Sequence, residues 1–287
     1  ADILSVSDKS PISQKLTTHL NHFFKERYKL EGDNFDEMIK YGSYIKNEFR
    51  STILKMDALE MTLPGSVKRL NSEFNIYEFG RYHEDILLNQ LKEENEQKPY
   101  GLIIFPRSDH NGAFSSIGEK INSIYNETKD KHLLRIFEAS SRVNLVKILS
   151  SCNERYGKDN KISYLLLGGH GNLEALSLGD HIASSNLTEY QKKINKISVE
   201  GPAAQRMKEF FVEKPSITLF SCETGGDNGL IESVSKAYNA EVVAPKVTTA
   251  VKDIHVSYDE LGKPHFKVTW LDNDANSLYA SGEKLEN

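Results

Sequence analysis

The sequence predicts an α/β fold with a doubly wound, mainly parallel β-sheet, preceded by an N-terminal helical segment. From residue 100 onwards, short apolar runs alternate with helical patterns, which is typical of parallel strands joined by crossover helices. Residues 1–98 are polar and carry their apolar residues at helical spacing. The 287 residues are 38% hydrophobic, which is enough for a sizeable core in one large domain or two smaller ones. We therefore expect a helical region over 1–98 and an α/β domain over 99–287.

The N-terminal region contains three candidate helices. The segments 12–30 and 34–61 each carry a long apolar stripe at helical spacing, and Pro64-Gly65 breaks the second one. The third segment, 76–97, ends in a charged tail that is followed by Pro99. This tail and the proline indicate the boundary with the α/β domain.

Five buried strands are predicted beyond this boundary, and helices connect them. The strands are short apolar runs at 100–105, 132–139, 162–169, 216–222 and 241–247. The connecting helices are expected at 113–130, 141–157 and 229–240. The stretch 186–214 combines a crossover helix with an insertion, and 255–270 resembles a hairpin around Leu261-Gly262.

Composition argues against several classes of partner and cofactor. The net charge of −5, without a long basic block, argues against nucleic acid. No apolar run approaches the roughly 20 residues that a membrane-spanning helix needs. Two cysteines make no disulfide framework, and His181, His255 and His265 lack metal-ligand spacing with either of them. We predict no metal or cofactor, no membrane contact, and a cytoplasmic location, with a secreted effector as the alternative.

A histidine and a cysteine follow two of the predicted strands. "YLLLGGHGN" (164–172) places His170 at the end of the third strand, and "TLFSC" (218–222) places Cys222 at the end of the fourth. Adjacent parallel strands would bring both side chains to one edge of the sheet, where α/β proteins bind ligands. A neighbouring histidine favours the reactive thiolate of a cysteine. Cys152 lies within a predicted helix, so we interpret it as structural.

Glycines surround both residues. We expect Gly168, Gly169 and Gly171 to let a substrate backbone come close. After the cysteine, Gly225, Gly226 and neighbouring backbone amides are candidate donors to a developing oxyanion. The N-terminus of the following helix would favour negative charge at the same place.

The two motifs together resemble the caspase-like cysteine peptidases of clan CD. "GGHGN" is followed, 52 residues later, by "SCETGG", and both this order and this spacing match the caspase pattern. The residues around Cys222 differ from the Gln-Ala-Cys of caspases. "SCETGG", with "LEALSLG" (173–179) shortly after the histidine, is more similar to the bacterial CHAT branch. The resemblance covers about residues 100–250.

The resemblance implies a role for each matching residue. His170 would be the general base and acid, Cys222 the nucleophile, and the amides of Gly171 and Cys222 the oxyanion hole. In this clan, the loop after the first strand and the segment after the fifth help to form the pocket for the residue before the cut. These segments correspond here to 106–112 and 246–256.

Three polar residues in the two pocket segments are candidate substrate contacts. Asp253 would select a basic residue before the cut, and Arg107 an acidic one; the acidic chain favours the first. Asp109 is a substrate contact or a loop or helix-cap residue, with neither favoured by the sequence.

The leading functional hypothesis is a cysteine endopeptidase that cleaves a protein or peptide without a metal. A catalytically silent caspase-like module is the alternative; in both cases a regulatory protein would bind the N-terminal helices. A flavodoxin-like nucleotide domain is a weaker hypothesis. The first strand is followed by "PRSDHNG" (106–112), which lacks a phosphate-cradling glycine fingerprint.

Overall fold

A computed structural model of the chain describes residues 42–93, 96, 98–107, 109, 113–114, 117–178, 196–197, 202–272 and 274–285. Only the backbone is described for 42–50, 196–197 and 202–204. The predicted helix at 12–30, His181 and most of the predicted insertion lie outside these residues.

The described N-terminal helices are α1 (Gly42–Thr62), α2 (Ser66–Phe74) and α3 (Glu84–Lys92). Helix α1 ends just before Pro64-Gly65, as the sequence predicts. Gly65 has a left-handed φ of 83°, which glycine adopts without strain. The expected helix over 76–97 is wrong at its start, where a 3₁₀ turn, Phe79–Arg81, precedes α3.

The central sheet has seven strands, in the order β12 (Glu283–Lys284), β11 (Asn276–Ala280), β8 (Glu241–Pro245), β7 (Phe211–Phe220), β3 (Ile162–Gly168), β1 (Tyr100–Pro106) and β2 (Leu133–Ala139). The five predicted strands are confirmed, and all of them pair in parallel. They are β1, β2, β3, β7 and β8. Two antiparallel strands that the sequence analysis missed, β11 and β12, extend the sheet beyond β8. A small separate sheet contains β4 (His170–Asn172), β5 (Ala175–Ser177) and β6 (Lys196–Ile197).

Both faces of the central sheet are covered, but not in the same way. One face carries α5 (Arg142–Tyr156), α6 (Pro202–Lys208) and α7 (Leu230–Tyr238), whose apolar side chains meet Leu165 and Leu167 of β3. The other face carries α4 (Gly118–Thr128) and a hairpin of β9 (Val251–Tyr258) and β10 (Pro264–Trp270). On this face Phe266 packs on Tyr164, with ring centroids 5.1 Å apart. The predicted hairpin is confirmed, and it forms part of the second layer.

The N-terminal helices and the sheet share one hydrophobic core. Leu59, Phe74 and Leu87 are fully buried in the same cluster as the strand residues. Phe74 of α2 lies 5.4 Å from Phe137 of β2, measured between ring centroids. The described helices therefore cover the edge of the sheet at β2, and the expected division into two domains at residue 99 stays a prediction.

A buried carboxylate fixes the chain before α3. Glu138, fully buried near the end of β2, accepts hydrogen bonds from the amides of Tyr77 (2.8 Å) and Glu78 (3.2 Å). It also accepts one from the hydroxyl of Tyr82 (3.1 Å), and its Oε1 lies 3.8 Å from Nη1 of Arg81. Burial raises the pKa of Tyr82 well above its usual value, so its hydroxyl stays a donor. These bonds tie the chain before α3 to the end of β2.

We predict that Glu138→Ala destabilises the protein by about 3–5 kcal/mol, because it leaves the buried Arg81 without this carboxylate. Urea unfolding measures the change. Arg69→Ala is the control, since it removes a half-exposed pair with Glu73 (3.4 Å) and should cost about 1 kcal/mol or less. Equal effects of the two substitutions would contradict the structural role of Glu138.

Candidate active site

His170 and Cys222 meet at the carboxyl edge of the sheet. Strands β3 and β7 are parallel neighbours, with Gly168 opposite Phe220. The amide of Gly169 donates to the carbonyl of Phe220 (3.2 Å), so the two chains stay together beyond the last strand pair. His170 and Cys222 then line one pocket of about 170 Å³. The two residues therefore share one pocket at this edge, and their role as a catalytic pair stays a prediction.

Gly171 lets β4 run directly against the loop that carries Cys222. A Cβ atom at this position would lie 2.0 Å from Oγ of Ser221 and 3.0 Å from the carbonyl oxygen of Cys222. At 2.0 Å either the Ser221 side chain or one of the two chains would have to move. The residue next to His170 is therefore held against Cys222 because it lacks a side chain.

The other two glycines also serve internal packing. A Cβ on Gly168 would lie 2.3 Å from the ring of Phe105, and one on Gly169 would lie 2.6 Å from the carbonyl oxygen of Ser177. Both glycines therefore have a packing role, and the expectation that they let a substrate backbone come close stays a prediction.

Asp109 is the residue behind His170. Its Oδ1 lies 3.3 Å from Nε2 of His170 and accepts a hydrogen bond from the amide of Ala113 (3.2 Å). Its Oδ2 accepts another from the amide of Phe114 (3.0 Å). Asp109 is fully buried, whereas the His170 side chain is 17% exposed. Its proposed contact with substrate is therefore corrected: the carboxylate holds the loop after β1 and the imidazole.

The loop after Cys222 uses most of the predicted oxyanion donors for its own structure. The amide of Gly225 donates to the carbonyl of Pro245 (2.8 Å), and that of Gly226 to the carbonyl of Glu223 (3.2 Å). The expectation that these two glycines stabilise an oxyanion is therefore wrong. Their bonds instead fix the turn that carries Cys222.

The first backbone amides of α7 also donate to carbonyl groups of the protein itself. The amide of Leu230 donates to the carbonyl of Leu173 (2.8 Å), and that of Ile231 to the carbonyl of Thr224 (3.0 Å). The helix therefore binds the chain on both sides of the site, after His170 and after Cys222. The expected direct role of this helix in favouring a negative charge is replaced by a structural one.

The pocket beside the two residues has mostly apolar walls. Five chain segments form it: the start of α4 with the preceding loop, the end of β3, the end of β7, the segment between β8 and β9, and the end of β10. The residues that line it are Ala113, Phe114, Ile117, Lys120, Gly169, His170, Phe220, Ser221, Cys222, Pro245, Thr249, Ala250, Val251 and Trp270. Within this described lining, only Lys120 carries a permanent charge.

The structure places Arg107 and Asp253 outside this pocket. The guanidinium of Arg107 lies over the ring of Tyr77, with 4.1 Å between Cζ and the ring centroid. The side chain of Asp253 is 52% exposed and its Oδ2 lies 3.0 Å from Nε2 of His255. The assignment of either residue to the pocket is thus corrected.

A β-bulge explains the position of Asp253. In the hairpin, Asp253 pairs with Thr269 but the next pair is Val251 with Trp270, so Lys252 is an extra residue. The bulge breaks the alternation of sides along β9. Val251 lines the pocket and Asp253 does not, although they are two residues apart.

Phe114, Lys120 and Trp270 are pocket residues that the sequence analysis did not single out. Phe114 lies beyond the loop segment 106–112, and its ring meets the imidazole of His170 edge-on at 5.6 Å. Trp270 ends the predicted hairpin. The predicted segment 246–256 does contribute to the pocket, through its residues 249–251. An aromatic residue at the end of the hairpin was the available signal for Trp270.

The two cysteines lie in different environments. Cys152 is 2% exposed within α5, and burial raises the pKa of its thiol to about 12. Cys222 is partly exposed and lines the pocket with His170. The interpretation of Cys152 as a structural residue agrees with this burial, because the thiolate is the nucleophilic form.

No family model matches the chain, and no curated protein is similar to it at a significant level. Within the ranges that the structure describes, no helix is long and apolar enough to cross a membrane. The same ranges hold no group of three or more His, Cys, Asp or Glu side chains that could bind a metal ion. The site is therefore interpreted from its own geometry.

We predict that iodoacetamide modifies Cys222 and spares Cys152 in the folded protein, because only the first thiol reaches solvent. Intact-mass spectrometry should detect one adduct on the wild type and none on Cys222→Ser. Both thiols should react in urea. Modification of Cys152 first, under native conditions, would contradict the assignment of the accessible thiol.

Proposed function

We propose that the protein is a cysteine endopeptidase of the caspase-like clan CD, similar to the CHAT branch, with His170 and Cys222 as its catalytic dyad. One observation carries the proposal. The two side chains follow neighbouring parallel strands and line one pocket, with the buried carboxylate of Asp109 behind the imidazole. The parallel pairing of β3 with β7 also supports the caspase-like assignment, which requires adjacent strands for these two residues.

In the acylation step, His170 accepts the proton of the Cys222 thiol, and the sulfur attacks the carbonyl carbon of the scissile peptide bond. The peptide C–N bond then breaks, and the imidazolium returns its proton to the leaving amine. The product is a thioester between Cys222 and the new carboxyl end of the substrate. Water, deprotonated by His170, then hydrolyses this thioester and regenerates the thiol.

Asp109 positions the imidazole for both proton transfers. Its Oδ1 faces Nε2 of His170, so the tautomer with a proton on Nε2 donates to this carboxylate. In that tautomer the other ring nitrogen, Nδ1, is the one that exchanges a proton with the thiol. The carboxylate also favours the imidazolium that forms in each step.

The negative charge on the carbonyl oxygen needs hydrogen-bond donors. We assign the amides of Gly171 and Cys222 to this task, as the resemblance implies. The close approach of Gly171 to the Cys222 carbonyl supports this assignment, because it holds the two backbones together. Such donors contribute to the rate because they are in position before the charge develops.

The N-terminal helices are the proposed binding place of a regulatory protein. Leu54 and Met61 lie seven residues apart on α1, and their exposed fractions are 58% and 86%. Large exposed apolar side chains on one helix face support contact with a partner. In a catalytically silent module this contact would be the whole function, and the tests of the dyad below separate the two hypotheses.

We predict that His170→Ala lowers peptide hydrolysis by about 10²–10⁴-fold, since no group then takes the thiol proton. Hydrolysis of a pooled fluorogenic peptide library measures the rate, and circular dichroism checks the fold. Cys222→Ala sets the background rate. Wild-type activity equal to that background would favour the silent module, and full activity of His170→Ala would remove the histidine from the mechanism.

We predict that Asp109→Asn lowers kcat by at least about tenfold with little change in KM, because Asp109 orients the imidazole and does not contact substrate. Asp253→Asn is the matched control, since that carboxylate lies outside the pocket and should leave kcat unchanged. The rate of Cys222 alkylation should fall with kcat only in Asp109→Asn. A rise in KM alone would restore the assignment of Asp109 to substrate binding.

A further inference from the structure

We infer that the pocket beside Cys222 binds an uncharged apolar side chain, so that cleavage follows a residue such as leucine, methionine or phenylalanine. The inference rests on the proposed function and specifies its substrate. It replaces the expectation of a basic residue before the cut, which depended on Asp253. The walls, the charges and the rim of the pocket each support it.

The walls present carbon atoms to the occupant. Phe220 and Trp270 are 5% and 3% exposed, and their rings meet edge to face with centroids 6.4 Å apart. The indole N–H of Trp270 already donates to Oδ1 of Asn276 (3.1 Å), so it is not directed to a ligand. Ala250 and Val251 add aliphatic groups from the hairpin side. An apolar side chain that enters this space is removed from water and has no polar group of its own to leave unpaired.

The charges around the pocket exclude a basic occupant. Its described lining contains no carboxylate, whereas Lys120 and His170 are both basic. A lysine or arginine side chain would therefore lose its water without gaining a counter-charge, which is costly in an apolar site.

An acidic occupant would have Lys120 as its only permanent counter-charge in the described lining. Lys120 is only partly buried, and it also borders a second, wider and more open pocket of about 390 Å³. A lysine in this position can place its stem along the apolar wall and its ammonium group in water. It therefore does not fix a carboxylate as an arginine fork at the pocket floor would.

The rim of the pocket is apolar as well. Val247 and Leu271 have exposed fractions of 43% and 63%. Hydrogen bonds place both residues beside the pocket. The amide of Leu271 donates to the carbonyl of the pocket residue Ala250 (2.9 Å), and the carbonyl of Val247 accepts from the amide of Glu223, which follows Cys222 (3.4 Å). Exposed apolar side chains next to a site favour contact with a ligand. The residues that flank the cut would cover them.

The size of the pocket suits one such side chain. Its volume of about 170 Å³ corresponds to a few water molecules at about 30 Å³ each. A branched aliphatic or a phenyl side chain displaces this water and contacts Phe220 and Trp270. Discrimination between two apolar side chains that differ by one methylene is expected to stay within about 10- to 200-fold.

Four peptidyl chloromethyl ketones that differ only in their last residue, leucine, phenylalanine, aspartate or arginine, test the inference. Intact-mass spectrometry of the full chain measures the rate at which each probe labels Cys222. We expect the leucine or phenylalanine probe to react at least about tenfold faster than both charged probes. A fastest reaction with the arginine probe, or equal rates for all four, would overturn the inference. So would a fastest reaction with the aspartate probe that is lost in Lys120→Met.

A variant that should react faster with one probe distinguishes a change in the pocket from misfolding, which would slow all probes. Val251 is partly exposed and lines the pocket, so Val251→Asp places a carboxylate there and should accelerate the arginine probe while slowing the leucine probe. Lys252→Asp, exposed on the same strand and outside the pocket, is the control and should change neither rate. Unchanged rates in Val251→Asp would contradict the pocket assignment. If no probe labels Cys222 in any variant, the proposed peptidase function fails and this inference fails with it.

Discussion

The parallel pairing of β3 with β7 is the constraint on which the site depends. Its register sets Gly168 opposite Phe220, and the bond from Gly169 to Phe220 continues the contact past the strands. Each chain then needs only two more residues to reach His170 and Cys222. The same sheet edge carries Asp109 from β1, the next strand over. The pairing of β1, β3 and β7 in the sheet thus brings the three chain segments of the site together, so no separate long-range loop has to close to form it.

The strands and their edge could be predicted because apolar runs and strand-end motifs are local signals. The five parallel strands, the hairpin and the common position of the histidine and cysteine follow from such signals. The role of Asp109 could not be predicted from such signals. Its carboxylate accepts a hydrogen bond from a loop that returns over it, and it faces a histidine that is 61 residues away in the sequence. The assignment of Asp253 to the pocket was wrong for a different reason. The bulge at Lys252 changes the side of β9 on which the Asp253 side chain lies, and no residue pattern marks that bulge.

The buried network around Glu138 shows why the N-terminal boundary was also hard to place. Of the predicted segment 76–97, Glu84–Lys92 forms a helix, and before it the amides of Tyr77 and Glu78 donate to a carboxylate near the end of β2. There, the hydrogen bonds to Glu138 outweigh the local helix propensity of the residues before α3. As a result, the chain before α3 is tied to the same edge of the sheet that carries the site, and the helices complete the core of the α/β layer.

Because residue 171 is a glycine, its position has a consequence for the evolution of this protein. A methyl group there would meet Ser221 at 2.0 Å, so descendants that keep this approach of the two chains must keep glycine as well. The same holds for Gly168 and its contact with Phe105. Persistence of these glycines among diverging sequences would then record two packing constraints, one against the Ser221 hydroxyl and one against the Phe105 ring. Both constraints would remain even in descendants that had lost Cys222.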